Sequence, residues 1–199
     1  MIAILDVCSG NLRSVERALA HVGAEVVVTS DPAVIARATK IVVPGQGAFG
    51  VFMRGLAERG LQPVLYDSIA RGVPYLGICL GLQVLFEHSE EGDCSGLGIL
   101  RGRVTRLHPG DPRLKIPHMG WNQVAQRQPV PGLPDGAYVY FVHSYRVEPA
   151  DASVIALEAT HGVTFCAGIQ KDNLLAVQFH PEKSQGTGLA LLRAFAEAA

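Results

Sequence analysis

The chain has 199 residues with 17 Lys and Arg against 18 Asp and Glu, a formal net charge of −1, and is 48% hydrophobic and 18% charged. That is too apolar for a disordered chain and enough to bury the core of one domain over residues 1–199. The near-neutral balance excludes the basic footprint of a nucleic-acid or membrane-surface binder.

The longest uncharged apolar stretch, residues 72–86, is broken by Pro74, Gly77 and Gly81 and falls short of the ~20 residues a bilayer span needs. Residues 2–7, IAILDV, lack a basic leader and read as a strand buried on both faces, not as a signal peptide. Cys8, Cys79, Cys94 and Cys166 are scattered without a C-x-x-C pair, which fits a reducing cytosol better than a disulfide framework or zinc site.

Asn11 is placed to cap a helix in which Leu12, Val15, Leu19 and Val22 recur at helical spacing until Gly23 stops it. Residues 25–29 read as a second strand, and Asp31-Pro32 opens a short helix to about Thr39. Residues 40–45 are a third strand, ending in a glycine-rich loop over 44–50. A helical stretch over 61–70, a strand over 73–78, a turn at Cys79 and a helix over 80–88 follow. Strands alternating with helices imply βαβ units and a parallel sheet. Beyond Leu97 the texture changes to short strand-like runs near 101–107, 121–125, 137–143, 153–159, 163–170 and 174–180. A final helix over 188–198 carries Leu189, Leu192, Phe195 and Ala196 on one side. The expected fold is α/β, a parallel or mixed central sheet flanked by helices, with a β-rich second half.

Four places carry candidate chemistry. Gly77-Ile78-Cys79-Leu80-Gly81 is a G-x-C-x-G between an apolar strand and a helix, the pattern of a nucleophile elbow, where only small residues fit around the sharp turn. A cysteine at a helix N-terminus is favoured as the reactive thiolate. In Gln178-Phe179-His180-Pro181-Glu182, an extended chain would place His180 and Glu182 on one face, supplying the base that a nucleophile needs and the group that orients it. The loop Pro44-Gly45-Gln46-Gly47 can aim backbone N–H groups at an oxyanion, with the amide of Leu80 as second donor. His143, Ser144 and Tyr145 close a strand end with polar groups. The remaining histidines show no metal-binding spacing, and no cofactor motif is present.

Assembled, these residues resemble the class-I (triad) glutamine amidotransferases from end to end. The resemblance rests on G-I-C-L-G with Gln83 four residues after the cysteine, on P-G-Q-G and on the terminal H-P-E. Within that class the chain looks most like the glutaminase subunits of imidazole glycerol phosphate synthase, from histidine biosynthesis. Gly10-Asn11-Leu12-Arg13-Ser14-Val15, His118-Met119-Gly120-Trp121-Asn122 and Tyr140-Phe141-Val142-His143-Ser144-Tyr145 point there. Two departures stand out: Val7 and Cys8 replace the usual Tyr-Gly after Asp6, and Gln46 stands where an apolar residue is usual.

The resemblance implies that Cys79 attacks the side-chain amide of glutamine, that His180 moves the proton and that Glu182 orients His180. It implies an oxyanion hole at the amides of Gln46, Gly47 and Leu80. Gly45, Gly47, Gln83, His143, Ser144 and Tyr145 would hold the substrate. It also implies a heterodimer with a (βα)8-barrel cyclase that receives the ammonia, docked on Asn11, Ser14, Met119, Trp121, Tyr140 and Lys183. Three rivals remain at this point. The glutaminase subunits of anthranilate, aminodeoxychorismate or pyridoxal phosphate synthase share the chemistry, DJ-1/PfpI-like hydrolases share the elbow, and a non-catalytic subunit would only gate its partner.

Overall fold

The computed structural model describes residues 1–7 and 12–198, so the expected cap and docking residue Asn11 lies outside the described residues. The first half runs β1 (Ile2–Leu5), α1 (Leu12–His21), β2 (Val26–Thr29), α2 (Pro32–Ala36), β3 (Lys40–Gly45), α3 (Phe49–Glu58), α4 (Leu61–Ala70), β4 (Tyr75–Cys79) and α5 (Leu80–Gln83). The second half is mostly strand: β5 (Phe86–Ser89), β6 (Cys94–Ser95), β7 (Leu100–Arg106), β8 (His118–Gln126), β9 (Tyr138–His143), β10 (Tyr145–Pro149), β11 (Ile155–His161), β12 (Val163–Lys171) and β13 (Leu174–Val177). Helix α6 (Gln185–Glu197) ends the chain's described structure.

Strands β2, β1, β3, β4 and β13 lie side by side and parallel. The sheet continues antiparallel through β12, β10 and β7, and β11, β8 and β9 branch from β12. Alternation along the buried strands builds two cores. Ala3, Leu5, Ile41 and Val43 face Ile35, Phe52, Leu56 and Leu65 of α2, α3 and α4. Ile2, Ile4, Val42 and Leu76 face Val15, Leu19, Leu191 and Leu192 of α1 and α6. Each fully buried side chain of this size contributes roughly 1.5–3 kcal/mol over an exposed one. The result is helices on both faces of a doubly wound sheet, and the carboxyl ends of its parallel strands converge on one crevice.

Asp31 caps α2 as the sequence implies, its Oδ1 accepting from the Ala33 N–H at 2.8 Å, although α2 ends at Ala36 and not near Thr39. Three other expectations need correction. The helix expected over 80–88 stops at Gln83, and Phe86 enters β5 opposite Leu100. Every residue from Leu80 to Phe86 is buried, so the run has no polar face to reveal its period. Helix α3 replaces the end of the expected 44–50 loop, and its Phe49, Phe52, Met53 and Leu56 form a buried stripe. Helix α6 begins at Gln185, before the expected residue 188. No helix among the described residues is long and apolar enough to cross a membrane.

Candidate active site

Strand β4 delivers Cys79 into a strained turn at φ 56° and ψ −102°, a backbone conformation uncommon outside glycine. A Cβ at Gly77 would lie 2.4 Å from the Gly81 carbonyl oxygen, and one at Gly81 would lie 1.8 Å from that of Val43. Those two overlaps are why the motif reads G-x-C-x-G. The buried Tyr75 hydroxyl donates to the Gly81 carbonyl at 2.7 Å and pins the turn from below. Helix α5 spans only four residues, so its first N–H groups matter more at Cys79 than an extended helix dipole would.

Across the sheet, β13 ends at Val177, opposite Ile78. His180 keeps an extended backbone, but Pro181 then opens a 3-10 turn over Pro181–Lys183. The expected strand alternation of His180 and Glu182 is therefore replaced by this turn, because proline cannot continue a ladder. It still joins the pair: His180 Nδ1 and Glu182 Oε1 are 2.8 Å apart, with both side chains almost fully buried. A carboxylate only accepts, so Nδ1 carries a proton and Nε2 is the nitrogen turned away from Glu182. That Nε2 is buried and outside hydrogen-bonding geometry with any described residue. Burial alone would lower the imidazolium, yet the Cys79 side chain and the Glu182 carboxylate outweigh it and push His180 up to about 9.

A cavity of about 490 Å³ opens over these groups, lined among others by Gln46, Gly47, Cys79, Leu80, Gln83, His143, Ser144, Tyr145 and His180. Gly45 does not line it. A Cβ there would lie 2.7 Å from both Leu80 Cβ and the Phe52 ring, so Gly45 serves packing behind the wall. Gly47, at φ 98°, adopts a conformation that suits glycine.

His143 lines the cavity with both ring nitrogens already committed. Nδ1 donates to the Tyr145 carbonyl at 2.9 Å, so Nε2 accepts from His118 Nδ1, also at 2.9 Å. Asn122 in turn donates to His118 Nε2 at 3.2 Å. The ring is a wall element held in place, with no nitrogen to spare for a ligand. Burial, with His161 nearby, lowers His118 to about 4, and burial also lowers His143 to about 3.

Two residues escaped the sequence reading. Glu91 lines the cavity, and its Oε2 accepts the Phe49 N–H at the start of α3 at 2.8 Å. Gln178 is fully buried and donates from Nε2 to Cys79 Sγ at 3.6 Å. Its Oε1 accepts from Gln83 Nε2 at 3.0 Å, and the same Gln83 amide donates to the Tyr145 carbonyl at 3.1 Å. Gln83 thus spends its donors inside the protein and retains its carbonyl oxygen for a ligand.

Beside the site, the β8–β9 ribbon turns Val124, Val139 and Phe141 inward and leaves Met119 62% and Trp121 47% exposed. Trp121 meets Tyr140 edge-on at 6.1 Å, and Lys183 Nζ sits 5.9 Å over the Tyr140 ring. Four of the expected docking residues therefore form one patch. Ser14 is half-buried on α1, which packs against the 3-10 turn that carries Lys183.

The family model of glutamine amidotransferase class-I matches residues 3–198. The chain belongs to the class-I glutamine amidotransferases. Among its amidotransferase relatives, the imidazole glycerol phosphate synthase subunit HisH of Aromatoleum aromaticum is 52% identical, covering 98% of this chain and 96% of that one. The HisH subunit of Syntrophotalea carbinolica is 51% identical, over 99% and 100%. Solved structures share the fold at lower identity. One glutamine amidotransferase superposes with a TM-score of 0.78 at 17% identity, covering 99% of each chain. The glutaminase domain of Trypanosoma brucei CTPS with bound acivicin gives 0.66 at 16% identity, covering 100% of this chain and 94% of that one.

Proposed function

We propose that this protein is the glutaminase subunit of imidazole glycerol phosphate synthase, hydrolysing glutamine to glutamate and ammonia. The observation that carries the chemistry is the strained Cys79 facing a cavity whose wall also holds a His180 oriented by Glu182 at 2.8 Å. The HisH relatives at about half identity over nearly the whole chain carry the choice of synthase.

The proton shared by Cys79 and His180 rests on His180 Nε2, and the Cys79 sulfur attacks the δ-carbon of glutamine. The oxygen of the tetrahedral intermediate lies between the amide of Leu80 and those of the Gln46–Gly47 loop. His180 returns the proton to the departing nitrogen, ammonia leaves, and a γ-glutamyl thioester remains on Cys79. Water then attacks the thioester, His180 takes its proton, and glutamate departs with the thiol restored. Glu91 meets the α-ammonium of glutamine with the carboxylate oxygen that does not hold Phe49, while the Ser144 and Tyr145 end of the cavity receives the α-carboxylate.

The Met119, Trp121, Tyr140 and Lys183 patch is the docking face for a (βα)8-barrel cyclase subunit in a cytoplasmic heterodimer. Exposed Trp and Tyr commonly anchor interfaces, and ammonia released beside such a face enters the partner before it meets water and becomes ammonium.

The test is glutamate release from glutamine by the protein alone and then with the cyclase subunit and its nucleotide substrate. Strong stimulation by that pair, abolished by Cys79→Ala, is the expected result. Activity that ignores the pair would move the protein to another amidotransferase. Activity retained in Cys79→Ala would overturn the nucleophile assignment.

A further inference from the structure

The buried polar chain behind Cys79 has a fixed direction. Carbonyl oxygens only accept, so the Gln83 nitrogen is identified by its contact with the Tyr145 carbonyl at 3.1 Å. The same nitrogen lies 3.0 Å from the Gln178 side chain, which must present Oε1 there. Its amide nitrogen is thereby turned toward Cys79 Sγ, 3.6 Å away. Gln178 is wholly buried, so water does not compete for that N–H.

We propose that Gln178 is a further catalytic residue, whose side-chain N–H supports the thiolate form of Cys79 before attack and again when the thioester is hydrolysed. The inference rests on Cys79 being the nucleophile, as proposed above. A hydrogen bond donated to an anion is stronger than one donated to a neutral group. A neutral amide supplies it without adding charge or competing for the His180 proton. Gln83 then acts as a positioning residue, because it decides which end of the Gln178 amide faces the sulfur. A buried glutamine kept only for packing would also be satisfied by Gln83, but nothing in packing requires its N–H to point at the reacting atom.

The experiment follows iodoacetamide alkylation of the Cys79 peptide by mass spectrometry across pH, with glutamine hydrolysis measured alongside. Gln178→Met removes the donor at similar size. Gln178→Glu keeps an acceptor for Gln83 and replaces the N–H with oxygen, so it reports even if the methionine variant fails to fold. In either folded variant, the pH at which alkylation reaches half its maximal rate is expected to rise by about one unit. The kcat for glutamine is expected to fall at least about tenfold with KM changed less than about threefold. An unchanged alkylation profile in a folded variant would overturn the proposal. A wild-type protein that does not hydrolyse glutamine would overturn the functional reading instead, and the alkylation result would still stand on its own.

Discussion

Tyr140, on the exposed aromatic patch, and His180, in the buried site, are tied to each other by their backbones. The His180 N–H donates to the Tyr140 carbonyl at 2.9 Å. The buried Ser184 hydroxyl closes the ring, accepting from the Tyr140 N–H at 2.9 Å and donating to the His180 carbonyl at 2.7 Å. A shift of β9 therefore moves the main chain of His180 directly.

Ser184→Ala opens that ring and leaves the Tyr140 N–H without its partner, a cost of about 1–3 kcal/mol for a buried donor. The glutaminase kcat of the assembled synthase is expected to fall roughly tenfold with KM nearly unchanged, because the base is displaced and the substrate pocket is not. Steady-state kinetics with and without the cyclase subunit check this. A change in KM alone would show that Ser184 serves the pocket and not His180.

His180 titrates upward in the folded protein, so its imidazolium persists from neutral pH to about 9. Relative to an ordinary histidine near 6.5, this contributes stability that is fully present below 6.5 and lost as pH rises through about 9. In the proposed mechanism the same form donates the proton to departing ammonia, so glutaminase activity is expected to decline above about pH 9. Glu182→Gln removes one of the two influences that raise the group. The alkaline limb is expected to move to lower pH and kcat at pH 8 to fall about 10–100-fold, less than in Cys79→Ala. A pH–rate profile whose alkaline limb stays in place would show that Glu182 does not set the protonation of His180.

Glu91→Gln keeps an acceptor for the Phe49 N–H and removes the charge. If the α-ammonium sits there, KM for glutamine rises about 10–100-fold, the span of a hydrogen bond to a charged group, while kcat stays within about threefold. The des-amino analogue glutaramic acid is expected to be equally poor with wild type and variant. A variant with wild-type KM would place the ammonium elsewhere in the cavity.

How much of this was legible in the sequence depends on the distance over which each contact acts. The elbow was readable because Gly77, Cys79 and Gly81 answer to one another within five residues, and the β/α alternation because buried parallel strands are continuous apolar runs. The stripe of Phe49, Phe52, Met53 and Leu56 in α3 was also present, but glycines at 47, 50 and 55 made its start read as a loop. Glu91 escaped because its anchor, the Phe49 N–H, lies 42 residues away. Gln178 sat inside the motif that supplied His180, yet its bond to Cys79 spans 99 residues and depends on strand register. His143 lines the cavity, while the commitment of its ring to His118 needed the β8–β9 pairing.

That histidine pair makes the fold sensitive to acid. His118 Nδ1 and His143 Nε2 share one proton at 2.9 Å, and Asn122 and the Tyr145 carbonyl satisfy the outer nitrogens. A proton added to His143 puts two hydrogens between the rings, one added to His118 meets the Asn122 amide N–H, and burial opposes either charge as well. The folded groups therefore resist protonation until about pH 4 and 3, whereas in the unfolded chain they take it up near 6.5. At neutral pH both are uncharged in both states and contribute nothing to the pH dependence. As pH falls below 6.5 the unfolded state gains protons that the folded state refuses, so each histidine removes about 1.4 kcal/mol per pH unit. His118→Asn keeps an amide N–H near the Nδ1 position for His143 and deletes one titrating group. Urea unfolding of wild type and His118→Asn at pH 7, 5.5 and 4.5 is expected to give curves that diverge with acidity, the variant losing less by about one proton's slope. Parallel loss in the two proteins would assign the acid sensitivity to groups outside this pair.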